Sequence, residues 1–475
     1  MTDKPTLEQL WAQMRASEVS NWDDVSPRLY DQCAPSIQPR FKVPARSSVF
    51  TIGSCFARNI EENLGQLGYD LPMLRFELPP EEKINSRAAN IVNKYTPPAI
   101  YQEVKWCYDI AKRDGIVNWA DCEAIAFEKD GMYYDTATHG RYPLSKERML
   151  ERRQHIFDVF KTMFQTDCVV ITLGLTEVFR DVERDLYVSN ALVAIGPLRR
   201  ALGERLEFVD LDFETSLGFV RGALDLIWDM NPDAKILITV SPVSAKATFS
   251  GDDIILASMR SKALLHTVIT EVIRNEPRAG YFPGFERIML TRSWDVFTPD
   301  LRHVSDFAVK GVVAQLVQTY FEVDATQRQD FEAKIASAHD AEVIFNSNLI
   351  EGTAALEAED FETAEACGQI ALEQAIRNRD INNGELRALR IIDAAITARS
   401  DWVARDVVLT RMIDLRPHCV AWIKLAYNNY RLQRYDQLKS NIDMAKETLP
   451  DDHPSAAAQI EKLTGYWKKA TGAAH

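Results

Sequence analysis

Read for hydrophobic periodicity, the chain changes character twice. Residues 1 to 45 open with a helical pattern over Leu7–Arg15 and continue as an irregular arm carrying Pro27, Pro35, Pro39 and Pro44. From 46 to about 324, short apolar runs alternate with stretches of helical spacing. The runs are SVFTI (48–52), CVVITL (168–173), KILITV (235–240) and ERIML (286–290), with a weaker one, YDLPM, at 69–73. They are too short for buried helices and rich in Val, Ile and Thr. Each is therefore expected to be a strand of a parallel sheet covered on both faces. Helical patterns fill 54–67, 147–164, 214–230, 254–275 and 306–321. Such alternation predicts an open α/β sandwich, with 74–146 as a long irregular insertion lining a site.

From 325 to 475 the strand pattern disappears and helical spacing takes over. Three segments recur, EDFETAEACGQIALEQA, SDWVARDVVLTRMIDLRP and QRYDQLKSNIDMAKETLP, with Phe361, Trp402 and Tyr435 spaced 41 and 33 residues apart. The last unit carries Trp422, Leu425, Ala426, Tyr430, Tyr435, Ala445 and Pro450, and resembles a tetratricopeptide-type helical hairpin. An all-α helical-repeat domain is expected here, and stacked helix pairs of that kind build concave surfaces for protein partners.

Composition narrows the function. With 475 residues there is room for two or three domains with real cores. A net charge of −14 and no basic stripe argue against nucleic acid as a partner. No apolar run reaches about 18 residues, so no membrane span is expected. The first twenty residues, MTDKPTLEQLWAQMRASEVS, lack the basic and apolar regions of a signal peptide. Seven scattered cysteines, with no C-x-x-C pair, argue against a disulfide framework and a zinc cluster and fit a cytoplasmic protein. No G-x-G-x-x-G follows the first strand and no G-x-x-x-x-G-K-[ST] occurs, so a nucleotide cradle is not expected. No metal or cofactor is implied.

In an open parallel sheet, ligands bind where the strands end at their carboxyl edge. After the first run come Gly53, Ser54 and Cys55. After CVVITL come Gly174, Leu175, Thr176 and Glu177, and after KILITV come Ser241, Pro242, Val243 and Ser244. Beyond ERIML lie Asp300, Leu301, Arg302 and His303. A hydroxyl or thiol on a sharp turn at a helix start, with a histidine to take its proton and a carboxylate to fix the histidine tautomer, is the equipment of nucleophilic acyl transfer. Backbone amides near Cys55 and Gly174 would stabilise an oxyanion.

At these residues the sequence resembles the GSCFA family, which belongs to the SGNH/GDSL hydrolase superfamily. The signature Gly53-Ser54-Cys55-Phe56-Ala57 is joined by NKYTP (93–97), YYDTATHG (133–140), ITLGLTEVF (171–179), TVSPV (239–243), YFPGFE (281–286) and DLRHVSDFAV (300–309). The resemblance implies a flavodoxin-like three-layer sandwich with esterase or O-acyltransferase chemistry, often on acylated carbohydrate or polysaccharide. It implies catalytic roles for Cys55, with Ser54 as the neighbouring alternative, and for Asp300 and His303. Gly174, Thr176 and Glu177 match the oxyanion block, with Thr176 where the superfamily has Asn. Asn93, Tyr95, Asp135 and His139 are candidate substrate or oxyanion residues from the insertion, and Ser241 ends another strand.

Register favours Cys55, and a thiolate at a helix start is a good nucleophile near neutral pH. Hydrolysis and transfer to a glycan stay equally open. The alternative is a non-catalytic protein that binds a glycan or acyl carrier, with the helical repeats as a scaffold for partners.

Overall fold

The computed structural model describes the chain except residues 1–4, 18, 21–27, 30–32, 80–81, 83–87, 141, 292–295, 298–300, 324, 378–383, 450–453 and 473–475. It falls into two compact units, Met1–Ala333 and Lys334–His475, and the helix Ala325–Glu357 runs through the division.

In the first unit the strands are β1 (Val49–Gly53), β2 (Ala126–Lys129), β3 (Met132–Asp135), β4 (Cys168–Leu173), β5 (Glu177–Asp181), β6 (Leu186–Val188), β7 (Leu206–Asp210), β8 (Lys235–Val240) and β9 (Ala279–Phe282). Four of them form a parallel sheet in the order β1-β4-β8-β9, with Val49 opposite Cys168 and Cys168 opposite Lys235. β1 and β4 are buried along their whole length, and β8 beyond its first residue, as the unbroken apolar runs require.

Alternate residues serve opposite faces. Phe50, Ile52, Val169, Ile171, Ile236 and Ile238 join one core with the helices Pro97–Arg113, Lys146–Phe160, Phe213–Met230 and Ile254–Ile273. Thr51 instead bonds Glu61 of the helix Cys55–Gln66, and Thr239 lies against Gly284 of the helix Gly284–Met289. Helices thus cover both faces. The amino-terminal arm is tied to this unit. Cys33 N–H donates to Thr291 Oγ1 at 2.7 Å, and Val43 bridges Phe321.

Three expectations need correction. ERIML is not a strand. Residues Gly284–Met289 form a helix entered through Pro283, and the edge strand is β9, just upstream. The run at 69–73 contributes a single bridge, Asp70 to Ser48, before a 3-10 turn at Pro72–Arg75. The stretch 74–146 is not irregular. It holds the 17-residue helix Pro97–Arg113, the short helix Trp119–Glu123 and the antiparallel hairpin β2–β3. A second small antiparallel sheet, β6-β5-β7, follows β4 and has no counterpart in the apolar runs. The helices expected at 54–67, 147–164, 214–230, 254–275 and 306–321 are all present, within a few residues at their ends.

The second unit is all helical: Phe361–Arg377, Gly384–Ala398, Trp402–Leu415, Cys419–Arg431, Tyr435–Glu447 and Pro454–Thr471 follow the long helix. Phe361, Trp402 and Tyr435, the recurring aromatics, each open a helix. Two residues before each stands a left-handed residue, Glu359, Ser400 and Gln433, with φ of 60°, 59° and 57°. The following amides of Asp360, Asp401 and Arg434 reach back five residues to the carbonyls of Ala355, Ile396 and Asn429. The same Schellman turn is therefore built three times. The buried Asp393 carboxylate binds Arg405 at 2.7 Å and Lys424 at 2.6 Å, tying three successive helices together.

Candidate functional site

The carboxyl end of β1 shapes the turn. Gly53 has φ of +143°, and a Cβ there would meet the Thr172 carbonyl at 2.3 Å, so only glycine brings β1 this close to the end of β4. Ser54 follows as N-cap of the helix Cys55–Gln66. Its hydroxyl accepts from Phe56 N–H at 3.2 Å and lies 3.1 Å from Thr172 Oγ1, while its own amide donates to Thr172 Oγ1 at 2.7 Å. Ser54 is only 1% exposed. Cys55, the first helical residue, is half-buried. The turn thus gives its two nucleophile candidates different surroundings. The serine oxygen is committed to capping, and the thiol stands at the positive end of a 12-residue helix.

Over this turn lies the segment 93–95. Lys94 N–H donates to the Gly53 carbonyl at 2.7 Å. The Tyr95 carbonyl accepts from both Gly174 N–H (2.8 Å) and Leu175 N–H (2.9 Å). The expected oxyanion amide at Gly174 is therefore bonded to Tyr95 in this state. The Tyr95 phenol is pushed up to about 12, first by burial and then by the charge of Cys55. The Asn93 amide, Arg302 and Arg58 oppose the shift. Asn93 is buried, and among the described residues its Oδ1 has no partner. His139 stacks on Tyr95 with ring centroids 5.1 Å apart, and its Nδ1 meets Ser189 Oγ at 2.5 Å.

The other candidates divide. Thr176 donates its hydroxyl to Asp210 at 3.0 Å and lies 2.8 Å from Ser261 Oγ. Glu177 receives Thr248 and the Phe249 amide, holding the loop after β8. These bonds tie Thr176 to the end of β7 and to the helix Ile254–Ile273, and Glu177 to the loop after β8. Ser241 is buried, its Oγ without a partner among the described residues. Burial alone would raise the Asp135 carboxyl, but Arg153 and Arg152 hold it below its ordinary range. Arg153 bridges Asp135 and Glu103, Glu103 binds Lys94 at 2.6 Å, and Arg152 reaches Glu82 at 3.4 Å. This buried network locks the segments 93–95 and 135–139 together, with Asp135 as an anchor.

Asp300 lies outside the described residues. His303 is half-buried, and its Nε2 accepts from the Arg302 guanidinium at 2.6 Å. Arg302 also donates to the Ser244 carbonyl at 3.2 Å. With an arginine donating to Nε2, the ring proton belongs on Nδ1, the tautomer a triad histidine needs. Arg302 occupies the nitrogen that would serve the nucleophile.

One residue beside the turn is absent from the sequence-based list. Lys262, in the helix Ile254–Ile273, is 1% exposed and donates from Nζ to the Gly174 carbonyl at 2.7 Å and the Val243 carbonyl at 2.8 Å. Its place in the buried stripe Ser258, Lys262, Leu265, Ile269 was the available signal: a cation at helical spacing among core positions.

Among the described residues no group of three or more His, Cys, Asp or Glu side chains could hold a metal ion, and no helix is long and apolar enough to cross a membrane. No curated protein matches the chain, and no solved structure does. A family model, GSCFA family, matches residues 48–316. That match spans more than half of the 475 residues, and it encloses the Gly53–Cys55 turn, the 93–95 segment, Lys262 and His303: the chain belongs to the GSCFA family.

Proposed function

We propose that this protein is an SGNH-type esterase or O-acyltransferase that uses Cys55 as its nucleophile, with an acylated carbohydrate as the substrate class. The observation that carries the reading is the contrast at the turn: a buried Ser54 spent on capping and a half-buried Cys55 at the helix start. The thiolate attacks the acyl carbonyl, a C–S bond forms, and the ester C–O bond breaks as the departing alkoxide takes a proton. Water or a glycan hydroxyl then attacks the thioester, releasing the thiolate. Two further observations support the family-level fold implied by the resemblance. The sheet has four strands, and counting the single Asp70–Ser48 bridge as a position outside β1 would give the order 2-1-3-4-5, which supports a flavodoxin-like reading. The triplicated Schellman turn, at intervals of 41 and 33 residues, supports a tetratricopeptide-like reading of the helical unit and a protein partner for it.

The test is incubation with p-nitrophenyl acetate and mass spectrometry of the tryptic peptide Ser47–Arg58. The expected result is an acetyl adduct lost in Cys55→Ala and kept in Ser54→Ala; the reverse pattern moves the nucleophile to Ser54. One observation favours a second reading, ligand binding without turnover: the Gly174 and Leu175 amides are already bonded to Tyr95. An absent adduct together with a saturable acyl-glycan binding isotherm would select it.

A further inference from the structure

Lys262 presents a physical puzzle. An ammonium taken out of water costs several kcal/mol unless a counter-charge repays it. Among the described residues no carboxylate stands within ion-pair distance of Lys262. Its two bonds go to neutral carbonyls, Gly174 at the end of β4 and Val243 beyond β8. A lysine nitrogen has four valences, one of them to its own carbon. With two N–H groups held by those carbonyls, the last position is a third proton in the ammonium or a lone pair in the amine. Lys262 therefore sits at the carboxyl edge of the sheet, one strand from the β1 turn that carries Cys55.

We propose that Lys262 is the proton acceptor and counter-charge of Cys55. The S–H bond breaks with its electron pair left on sulfur, solvent at the half-buried thiol carries the proton away, the Lys262 lone pair takes up a proton, and a thiolate–ammonium pair results. The inference rests on the reading of Cys55 as the nucleophile and names what activates it. Burial pushes the Lys262 ammonium down to about 7, and the Cys55 charge is what raises it, so each group favours the ionised form of the other. The charged and titratable groups that act on Tyr95 over the turn are Cys55, Arg302 and Arg58; burial and the Cys55 charge hold the phenol neutral, and the His303 Nε2 is engaged by Arg302. A lysine serving only to tie two loops would leave the thiol with its ordinary titration.

Alkylation of the full-length protein by iodoacetamide, followed against pH on the Ser47–Arg58 peptide, reads the thiolate directly. The wild-type midpoint is expected well below the ordinary thiol value of about 8.5. Lys262→Met is expected to raise it by about one unit or more, an approximately tenfold or greater slowing at any pH below both midpoints, while His303→Ala leaves it in place. An ordinary midpoint in the wild type overturns the proposal, and so does a folded Lys262→Met with the wild-type profile. If Lys262→Met does not fold, His303→Ala decides: a midpoint restored to the ordinary value assigns the proton to the histidine. Because alkylation involves no acyl group, missing acyl turnover with the Lys262 effect intact sinks only the proposed reaction. Turnover with an unchanged profile in Lys262→Met sinks only this inference.

Discussion

Replacing Ser54 with alanine removes a buried N-cap and one side of the Thr172 contact, and about 1 kcal/mol of stability should go with it in urea denaturation. Cys55 should still be alkylated, because the thiol belongs to the next residue and to the helix dipole. Gly53→Ala is a harsher change. The new Cβ meets Thr172 backbone and φ stays at +143°, so a loss of about 3 kcal/mol is expected, with a lower urea midpoint as the readout. Much at this scale was legible beforehand. The turn and its two nucleophile candidates follow from a strand that breaks at glycine before a helix, whereas the preference for Cys55 rests on the register that the family resemblance implies. Lys262 was passed over despite its helical spacing with core positions, because a lysine in a helical pattern reads as a solvent position until the neighbouring strands are known to enclose it. Nor could the sequence show that the Tyr95 carbonyl, some eighty residues upstream, takes the Gly174 amide.

Among elements, the buried ion network joins the helix Lys146–Phe160 to β3 and to the helix Pro97–Arg113, and removing one partner strands the opposite charges. Arg153→Met leaves Asp135 and Glu103 without their shared cation, and about 3–5 kcal/mol of destabilisation is expected at neutral pH. The pH dependence has a definite sign. Asp135 has a folded value below its unfolded value of about 3.9, so its contribution is complete above that pH and is lost as pH falls through the folded value. The gap between wild type and Arg153→Met should therefore narrow below about pH 4 in urea titrations. The Schellman turns give the opposite opportunity. Glu359→Gly, Ser400→Gly and Gln433→Gly each relieve a left-handed side chain and should each add about 1 kcal/mol to the helical unit, seen as a higher urea midpoint. The strands β1, β4 and β8 could be read from sequence because strands covered on both faces stay apolar throughout. β9 escaped because Gly280 sits in its middle, where a Cβ would press on Tyr320 at 3.1 Å, and ERIML satisfied a strand pattern that a short helix satisfies equally.

At the scale of the whole molecule, every residue placed at the turn lies between Gly53 and His303, inside the first unit. That unit also closes on itself, with Val43 N–H bonded to the Tyr320 carbonyl and Glu322 N–H to the Val43 carbonyl. A chain ending at Ala333 is expected to keep acylation of Cys55 at the full-length rate, measured on the same tryptic peptide; loss of the adduct would give the helical unit a part in the chemistry. The Tyr95 carbonyl carries one more consequence. It joins the end of β4 to a segment that the Arg153 network fastens to the β2–β3 hairpin, so the amides of Gly174 and Leu175 are shielded from deuterium only while that insertion is docked. Their exchange is a clock for opening of the site, separate from the slower exchange of the β4 ladder amides, which waits for the sheet itself to part.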